Sequence, residues 1–351
     1  MTTKEQVLNT LQKVMDPELH RNIVELNMVR ELTIDKNDKV SFTLTLTTLA
    51  CPLKEKIADD ARKALKTFDG IEDVEIKFAE MAREEAQALF KDAKPSFPDL
   101  RKLNKVDQVI AVMSGKGGVG KSTVTALLAG HLVKQGLNIG ILDADITGPS
   151  IPKLLGLGSG GLRGSEQGIL PACTPNGIKV VSTNLLLQDE DTPTIWRGPL
   201  ISGTINQFWS NSIWGKLDVL LVDLPPGTSD AALTVMQSLP VTSVVLVTTP
   251  QDLATMVVKK AVHMVQMLKV PIVGLVENMS SFKCPDCGSV HQLFGKSHLE
   301  EMSANIKDVT SIQLPIDPVL TALCDNGQIE NANVAEFKPL LSKIVSNKPT
   351  N

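Results

Sequence analysis

The chain has 351 residues and no tyrosine, and its aromatic content is only 3%. Few rings are therefore available to stack on nucleic-acid bases. Lysine and arginine number 35 against 39 aspartates and glutamates, a net charge of −4, so no global field attracts nucleic acid or anionic lipid. We expect no nucleic-acid partner.

Long apolar runs are also missing. None approaches the roughly 20 residues that a membrane-spanning helix needs, and the N-terminal residues lack a signal peptide's apolar core. We therefore expect a cytoplasmic protein with no stable membrane association. The chain has only five cysteines, which should be reduced in that compartment, so a C-x-x-C pair indicates metal binding or redox activity rather than a structural disulfide.

The length predicts about two domains. Residues 1–90 read as a small α/β domain, with a capping box at Thr3 and Gln6 and an alternating strand over 40–46. Residues 91–105 are charged and contain prolines, which favours a linker. The remaining 106–351 form the larger predicted domain.

In this larger domain, short apolar runs alternate with helical stretches, which predicts a doubly wound, mostly parallel sheet. Ligands of such sheets gather at the carboxyl ends of the strands. The runs span 109–112, 139–142, 178–181, 219–222, 244–247 and 272–276.

A phosphate-binding loop directly follows the first run. The pattern G-x-x-x-x-G-K-[ST] lets backbone N–H groups surround phosphate oxygens at a helix N-terminus. We assign the whole loop to nucleotide binding and Lys121 also to catalysis. Its residues are Gly115, Lys116, Gly117, Gly118, Val119, Gly120, Lys121, Ser122 and Thr123.

Lys116 is a second lysine that most such loops lack. A lysine this early in the loop points away from its own nucleotide, so its charge is best used on a phosphate held by a second copy of the chain. The sequence thus predicts a nucleotide-dependent homodimer in which Lys116 is catalytic.

Three carboxylates follow later strands. Asp143 is predicted to lie in the shell of a Mg²⁺ ion and Asp145 to align the attacking water. Asp223 ends a buried run at a Walker B position, where it can hold the Mg²⁺ that Ser122 also ligates. Asn278 either contacts a purine base or caps local backbone. Together these segments predict a nucleotide hydrolase.

Cys284 and Cys287 form a C-x-x-C pair, which supplies half of a four-ligand site. A two-fold axis near the motif would join two pairs around one shared iron-sulfur cluster. The alternatives are a zinc site completed by His291 and a fourth ligand from Cys324 or elsewhere, and a plain redox pair. Cys51 stands where a strand meets a helix and is either a buried thiol or one that passes a metal or cluster. Cys173 and Cys324 read as small core residues.

The segments GKGGVGKST, DADITGPS, WRGP, VDLPPGTSD, TTPQ and NMSSFKCPDCG resemble the Mrp/ApbC family of iron-sulfur cluster carrier ATPases, of the deviant Walker A class. The N-terminal segment is similar to a small iron-sulfur assembly domain. The resemblance implies an ATP-binding homodimer that holds a [4Fe-4S] cluster between the Cys284 and Cys287 pairs. Recipient apoproteins and scaffold proteins are its implied partners. Thr147 stands where the family usually has an aromatic residue.

A positioning or partition ATPase with a structural zinc site is the rival class. Residues 337–345 favour it, because they form an amphipathic pattern like that of ATPases that bind membranes reversibly. The same pattern also suits a last helix that packs on its own domain. The paired thiols favour the cluster carrier, because a positioning switch has no use for them.

Overall fold

The computed structural model divides the chain into two compact units, Met1–Lys94 and Pro95–Asn351. Cys51, Thr147 and the Trp-Arg pair of the WRGP segment lie outside the residues whose structure is described. The described residues are 3–16, 21–35, 39–46, 54–67, 71, 73–82, 85, 100, 104–146, 148–158, 161–165, 168–185, 198–228 and 230–347.

The first unit is a small α/β fold. Its central sheet has the order β3-β4-β5, with β3 antiparallel and β5 parallel to β4. The predicted capping box at Thr3 and Gln6 is present. Its helices are α1 (Lys4–Leu11) and α2 (Lys54–Lys66), and its strands are β1 (Met15–Asp16), β2 (Arg21–Asn22), β3 (Val29–Ile34), β4 (Val40–Leu46) and β5 (Val74–Glu80).

The second unit is built on an eight-stranded sheet. Two short hairpins, β8 with β9 and β15 with β16, lie outside that sheet. The strands of this unit are β6 (Lys105–Ser114), β7 (Ile139–Asp143), β8 (Arg163–Ser165), β9 (Gly168–Leu170), β10 (Ala172–Cys173), β11 (Lys179–Val181), β12 (Lys216–Asp223), β13 (Ser243–Thr248), β14 (Ile272–Glu277), β15 (Phe282–Lys283), β16 (Val290–His291) and β17 (Thr310–Gln313).

Helices connect these strands in the manner of a doubly wound fold. Three 3₁₀ turns, at Thr183–Leu185, Ile329–Asn331 and Ala335–Phe337, add to them. The helices are α3 (Lys121–Lys134), α4 (Ile151–Leu154), α5 (Gly198–Asn211), α6 (Asp230–Ser238), α7 (Asp252–Met267), α8 (Leu299–Ser303), α9 (Pro318–Asp325) and α10 (Lys338–Ser346).

The sheet order β10-β11-β7-β12-β6-β13-β14-β17 confirms the predicted fold class. All neighbouring pairs are parallel except the edge pair of β10 and β11. The strand order reverses around β6, so the carboxyl ends of β6, β7 and β12 meet at one edge. This edge holds the phosphate-binding loop.

The last helix, α10, packs on its own unit. Leu340, Leu341 and Ile344 are buried, and the Ile344 carbonyl accepts a hydrogen bond from Gln108 on β6 at 3.1 Å. The amphipathic pattern is thus used inside the fold, which removes the observation that favoured the positioning ATPase. Among the residues described, no helix is both long and apolar enough to cross a membrane.

Each unit has its own apolar core. We expect deletion of residues 1–94 to leave a folded second unit that still binds nucleotide. All three tryptophans lie in 196–214, so their fluorescence reports on that unit alone. The prediction is wrong if the shortened chain is insoluble or shows no cooperative thermal transition.

Candidate functional site

The phosphate-binding loop joins β6 to α3, and its geometry requires glycine at its first position, Gly115, and at Gly120. Gly120 is the N-cap of α3 and has a φ of 82°, in the left-handed region. A Cβ on this residue would lie 2.3 Å from Nδ2 of Asn278. A Cβ on Gly115 would lie 2.9 Å from the Val257 side chain on α7. The backbone conformation and the close neighbours therefore both select glycine.

Asp223 organises the polar side chains beneath the loop. Its Oδ2 accepts hydrogen bonds from Lys121 Nζ at 2.7 Å and from Ser122 Oγ at 2.5 Å. Thr125 Oγ1 donates to its Oδ1 at 2.7 Å. The sequence reasoning missed Thr125, although its position four residues after Lys121 places both on one face of α3. The structure thus joins the loop to the Walker B strand as predicted.

Asp143 lies beside Asp223, because β7 and β12 are parallel neighbours with these two residues in register. Its Oδ2 accepts from Ser182 Oγ at 3.0 Å, a contact that the sequence reasoning also missed. Burial, and then the negative charge of Asp223, raise the pKa of Asp143 to about 8. Asp145 Oδ2 lies 3.7 Å from Lys121 Nζ. The three predicted carboxylates therefore lie near one another, but among the described residues they do not by themselves form a group that could hold a metal ion. Their roles toward Mg²⁺ and the attacking water stay predictions.

The raised pKa of Asp143 gives a testable pH dependence. The folded state binds a proton that the unfolded state, with a pKa of about 3.9, releases. The free energy of unfolding should therefore fall as pH rises from about 4 to about 8, by at most about 1.4 kcal/mol per unit. Asp143→Asn should remove this contribution and be more stable than wild type near pH 8.

Urea unfolding followed by tryptophan fluorescence from pH 5 to 9 measures this difference. Asp308→Asn is the control, because Asp308 is exposed and pairs only with Lys343 in the described contacts. A difference between wild type and Asp143→Asn that does not vary with pH would contradict the assignment.

Lys116 contacts its own chain. Its Nζ donates a hydrogen bond to Oε1 of Gln251, the residue before α7. The sequence places Gln251 in the TTPQ segment, at a strand end where a base could sit, but does not pair it with Lys116, since only the fold brings α7 to the loop. The use of Lys116 on a partner's phosphate stays a prediction.

Asn278 follows β14 and holds the loop from the side. Its Nδ2 donates to the Val119 carbonyl at 2.9 Å, and its backbone N–H donates to the Thr248 carbonyl at 2.8 Å. The side chain is 9% exposed. Contact with a purine base stays a prediction, whereas contact with the loop is what the structure shows.

The predicted metal-binding cysteines lie in a hairpin closed by β15 and β16. The N–H of Cys284 donates to the Ser289 carbonyl, and the N–H of Gly288 donates to the Cys284 carbonyl, both at 2.9 Å. Both cysteines are free thiols, with Cys287 exposed and Cys284 half-buried. Hydrogen bonds from Ser289, and then one from Cys284, hold the pKa of Cys287 below its usual value, which favours the metal-binding thiolate.

A zinc site within one chain receives no support. Among the described residues, no three His, Cys, Asp or Glu side chains come close enough to hold a metal ion. His291 is exposed on β16, and Cys324 lies on α9, where burial raises its pKa. The prediction of Cys173 as a core residue is wrong: it is exposed, because β10 is an edge strand.

Comparison with known families is consistent with this site. Residues 105–347 match the family described as NUBPL iron-transfer P-loop NTPase, well over half of the chain. The chain belongs to this family. Residues 4–78 match a second family, described as iron-sulfur cluster assembly protein. The two matches confirm the resemblance that the motifs indicated.

Individual relatives agree with both assignments. The iron-sulfur cluster carrier protein of Synechocystis sp. is 44% identical over 310 residues, 87% of this chain and 85% of the relative. The protein of that name from Deinococcus radiodurans is 38% identical over 311 residues, 89% of this chain and 85% of the relative. A solved nucleotide-binding protein from Archaeoglobus fulgidus, in complex with ADP, is 46% identical with a TM-score of 0.61, over 68% of this chain and 95% of that chain.

Proposed function

We propose that the protein is an ATP-hydrolysing carrier that binds an iron-sulfur cluster as cargo and transfers it to recipient apoproteins. The observation that carries this proposal is the pair of free thiols on an exposed hairpin in the same unit as a phosphate-binding loop. The relatives named as iron-sulfur cluster carrier proteins support it.

The donor set fits a magnesium nucleotide. The start of α3 receives no side-chain capping hydrogen bond from Gly120, and a Cβ on Gly117 or Gly118 would meet no atom within 4 Å. Ser122 and Asp223 supply hard oxygen ligands for Mg²⁺, which would neutralise phosphate charge when bound. In this proposal Lys121 binds phosphate and Asp145 orients the attacking water.

Ligand number supports a homodimer. A four-iron cluster usually takes four thiolates, and one chain offers two at suitable spacing. Two chains related by a two-fold axis would supply Cys284 and Cys287 twice, and the same association would carry Lys116 to the partner's phosphate.

We propose that residues 1–90 form a separate assembly-type domain, 91–105 a linker and 106–351 the ATPase domain, in a cytoplasmic protein. The first domain, with Cys51, is proposed to assist delivery.

Anaerobic reconstitution with iron and sulfide tests the proposal. Wild type should gain cluster absorption and about four irons per dimer. The double variant Cys284→Ser and Cys287→Ser should take up none and still bind nucleotide. Cys173→Ser and Cys324→Ser are matched controls, because these thiols lie outside the hairpin, and both should reconstitute like wild type.

A different outcome would establish a structural zinc site. Purified wild type would then hold one zinc per chain that iron and sulfide do not replace, and His291→Ala would release it. That result would contradict the carrier function.

A further inference from the structure

The segment that carries the two cysteines leaves and rejoins the fold at one place. It departs from the sheet after Asn278, forms the hairpin of β15 and β16, and returns at His298, which precedes α8. The backbone N–H of His298 donates to Oε1 of Glu277 at 3.3 Å. Glu277, the last residue of β14, therefore binds the end of the segment. Asn278, the next residue in the chain, is where the segment begins.

Glu277 is a fixed anchor. Its exposed fraction is 0%, and its Oε2 accepts a hydrogen bond from Gln313 Nε2 at 2.9 Å. Gln313 is also its register partner on β17. A buried carboxylate is costly unless its oxygens are hydrogen-bonded, so these contacts fix the side chain and the point to which His298 returns.

Asn278 connects the same place to the nucleotide site. Its amide donates to Val119 and leaves no room for a side chain on Gly120, as the loop geometry shows. Any shift of these two loop residues must displace the asparagine side chain or break its hydrogen bond.

The path from the asparagine to the cysteines is hydrogen-bonded at successive residues. The N–H of Ser280 donates to the Leu314 carbonyl at 2.9 Å, and the Ser281 carbonyl accepts from the Ile316 N–H at 2.7 Å. Cys284 follows three residues later. A displacement at the loop can therefore reach the hairpin through the few hydrogen-bonded residues between Asn278 and Cys284.

We propose that Glu277 and Asn278 are positioning residues that transmit nucleotide occupancy of the phosphate-binding loop to the cysteine hairpin. Asn278 moves the start of the segment with the loop, while Glu277 holds its end at His298. The cysteine hairpin, which lies between these two ends, therefore changes geometry. The inference rests on the proposed function for the identity of the cargo. If nucleotide binding changes the affinity for the cargo by some factor, linkage requires that cargo binding change the affinity for nucleotide by that same factor.

Hydrogen–deuterium exchange of the full chain, with and without Mg²⁺-ADP, tests the coupling. Protection of residues 115–123 reports nucleotide binding, and exchange of 282–291 reports the hairpin. In wild type, nucleotide should slow hairpin exchange by about fivefold or more. Asn278→Ala should lose this hairpin response.

Variants of Glu277 separate coupling from simple folding. Glu277→Leu removes both acceptors, so it should keep loop protection and lose the hairpin response. Glu277→Gln should restore the response, because its amide oxygen still accepts from His298 and the Gln313 amide can turn its oxygen toward the new donor. If Glu277→Leu does not fold, Gln313→Ala removes only the outer partner and should weaken the response.

Arg21→Ala is the matched control, because Arg21 forms an ion pair with Glu25 at 2.9 Å within the first unit, outside this path. It should behave like wild type. The proposal is overturned if the wild-type loop is protected while hairpin exchange is unchanged, or if the response survives both Asn278→Ala and Glu277→Leu. Failure of the wild type to take up a cluster would count against the carrier function alone, since this measurement uses no cluster.

Discussion

Replacing Gly120 with alanine should weaken nucleotide binding by about 100-fold or more, which corresponds to about 2.7 kcal/mol. An alanine in the left-handed region costs roughly 1–2 kcal/mol, and its methyl group would collide with the Asn278 amide. Either the loop or Asn278 must then move, so the backbone N–H groups lose their arrangement around the phosphates. Isothermal titration with Mg²⁺-ADP measures the effect.

Gly203→Ala is the matched control for this change. Gly203 lies within α5, has no neighbour within 4 Å of an added Cβ and does not have a positive φ. Alanine there should leave binding unchanged and raise helix stability by up to about 1 kcal/mol. Wild-type affinity in a folded Gly120→Ala protein would show that the loop adopts another conformation when nucleotide binds.

Lys116→Ala should abolish ATP hydrolysis and leave nucleotide affinity within about threefold of wild type, whereas Lys121→Ala should lose both. The reason is geometric: Lys121 lies beneath its own loop against Asp223, while Lys116 points to Gln251 at the start of α7. A lysine that acts only on the transition state of a partner's nucleotide affects turnover and not binding. Steady-state phosphate release and equilibrium titration on the same preparations separate the two.

A mixing experiment sharpens this prediction. Lys116→Ala mixed with an equal amount of Lys121→Ala should recover part of the activity, because in a mixed dimer an intact Lys116 can reach the one competent nucleotide site. Wild-type hydrolysis by Lys116→Ala alone would refute a role across the interface.

The predicted site residues share a feature that a sequence displays directly. Asp223 ends an uninterrupted apolar run, and Lys121 follows a glycine pattern, so each is marked by its neighbours in the chain. Ser182 and Glu277 also follow apolar runs, and Gln251 belongs to the TTPQ segment, but nothing in the sequence indicates what these three side chains contact. Their contacts depend on which strand ends and helix starts meet, and that is decided by the order of strands in the sheet.

The strands β3 and β17 were not predicted from the sequence, and each has a local reason. In β3, Glu31 has a φ of 53° and the register shifts between Arg30 and Thr33, so the side chains do not alternate in the usual way. In β17 only Ile312 is buried, which leaves too little apolar pattern to recognise. Both strands are formed by pairing with neighbours rather than by their own residues.

The hydrogen bond from Gln108 to the Ile344 carbonyl bears on how the protein is made. It joins a central strand of the second unit to the last helix, across 236 positions of sequence. During synthesis all the described core residues of the first unit are available once Met81 has left the ribosome, because Met81 is the last of them. The second unit cannot complete its core until the helix Lys338–Ser346 has been made, so a ribosome stalled before that point would display a folded first unit followed by an unfinished second unit.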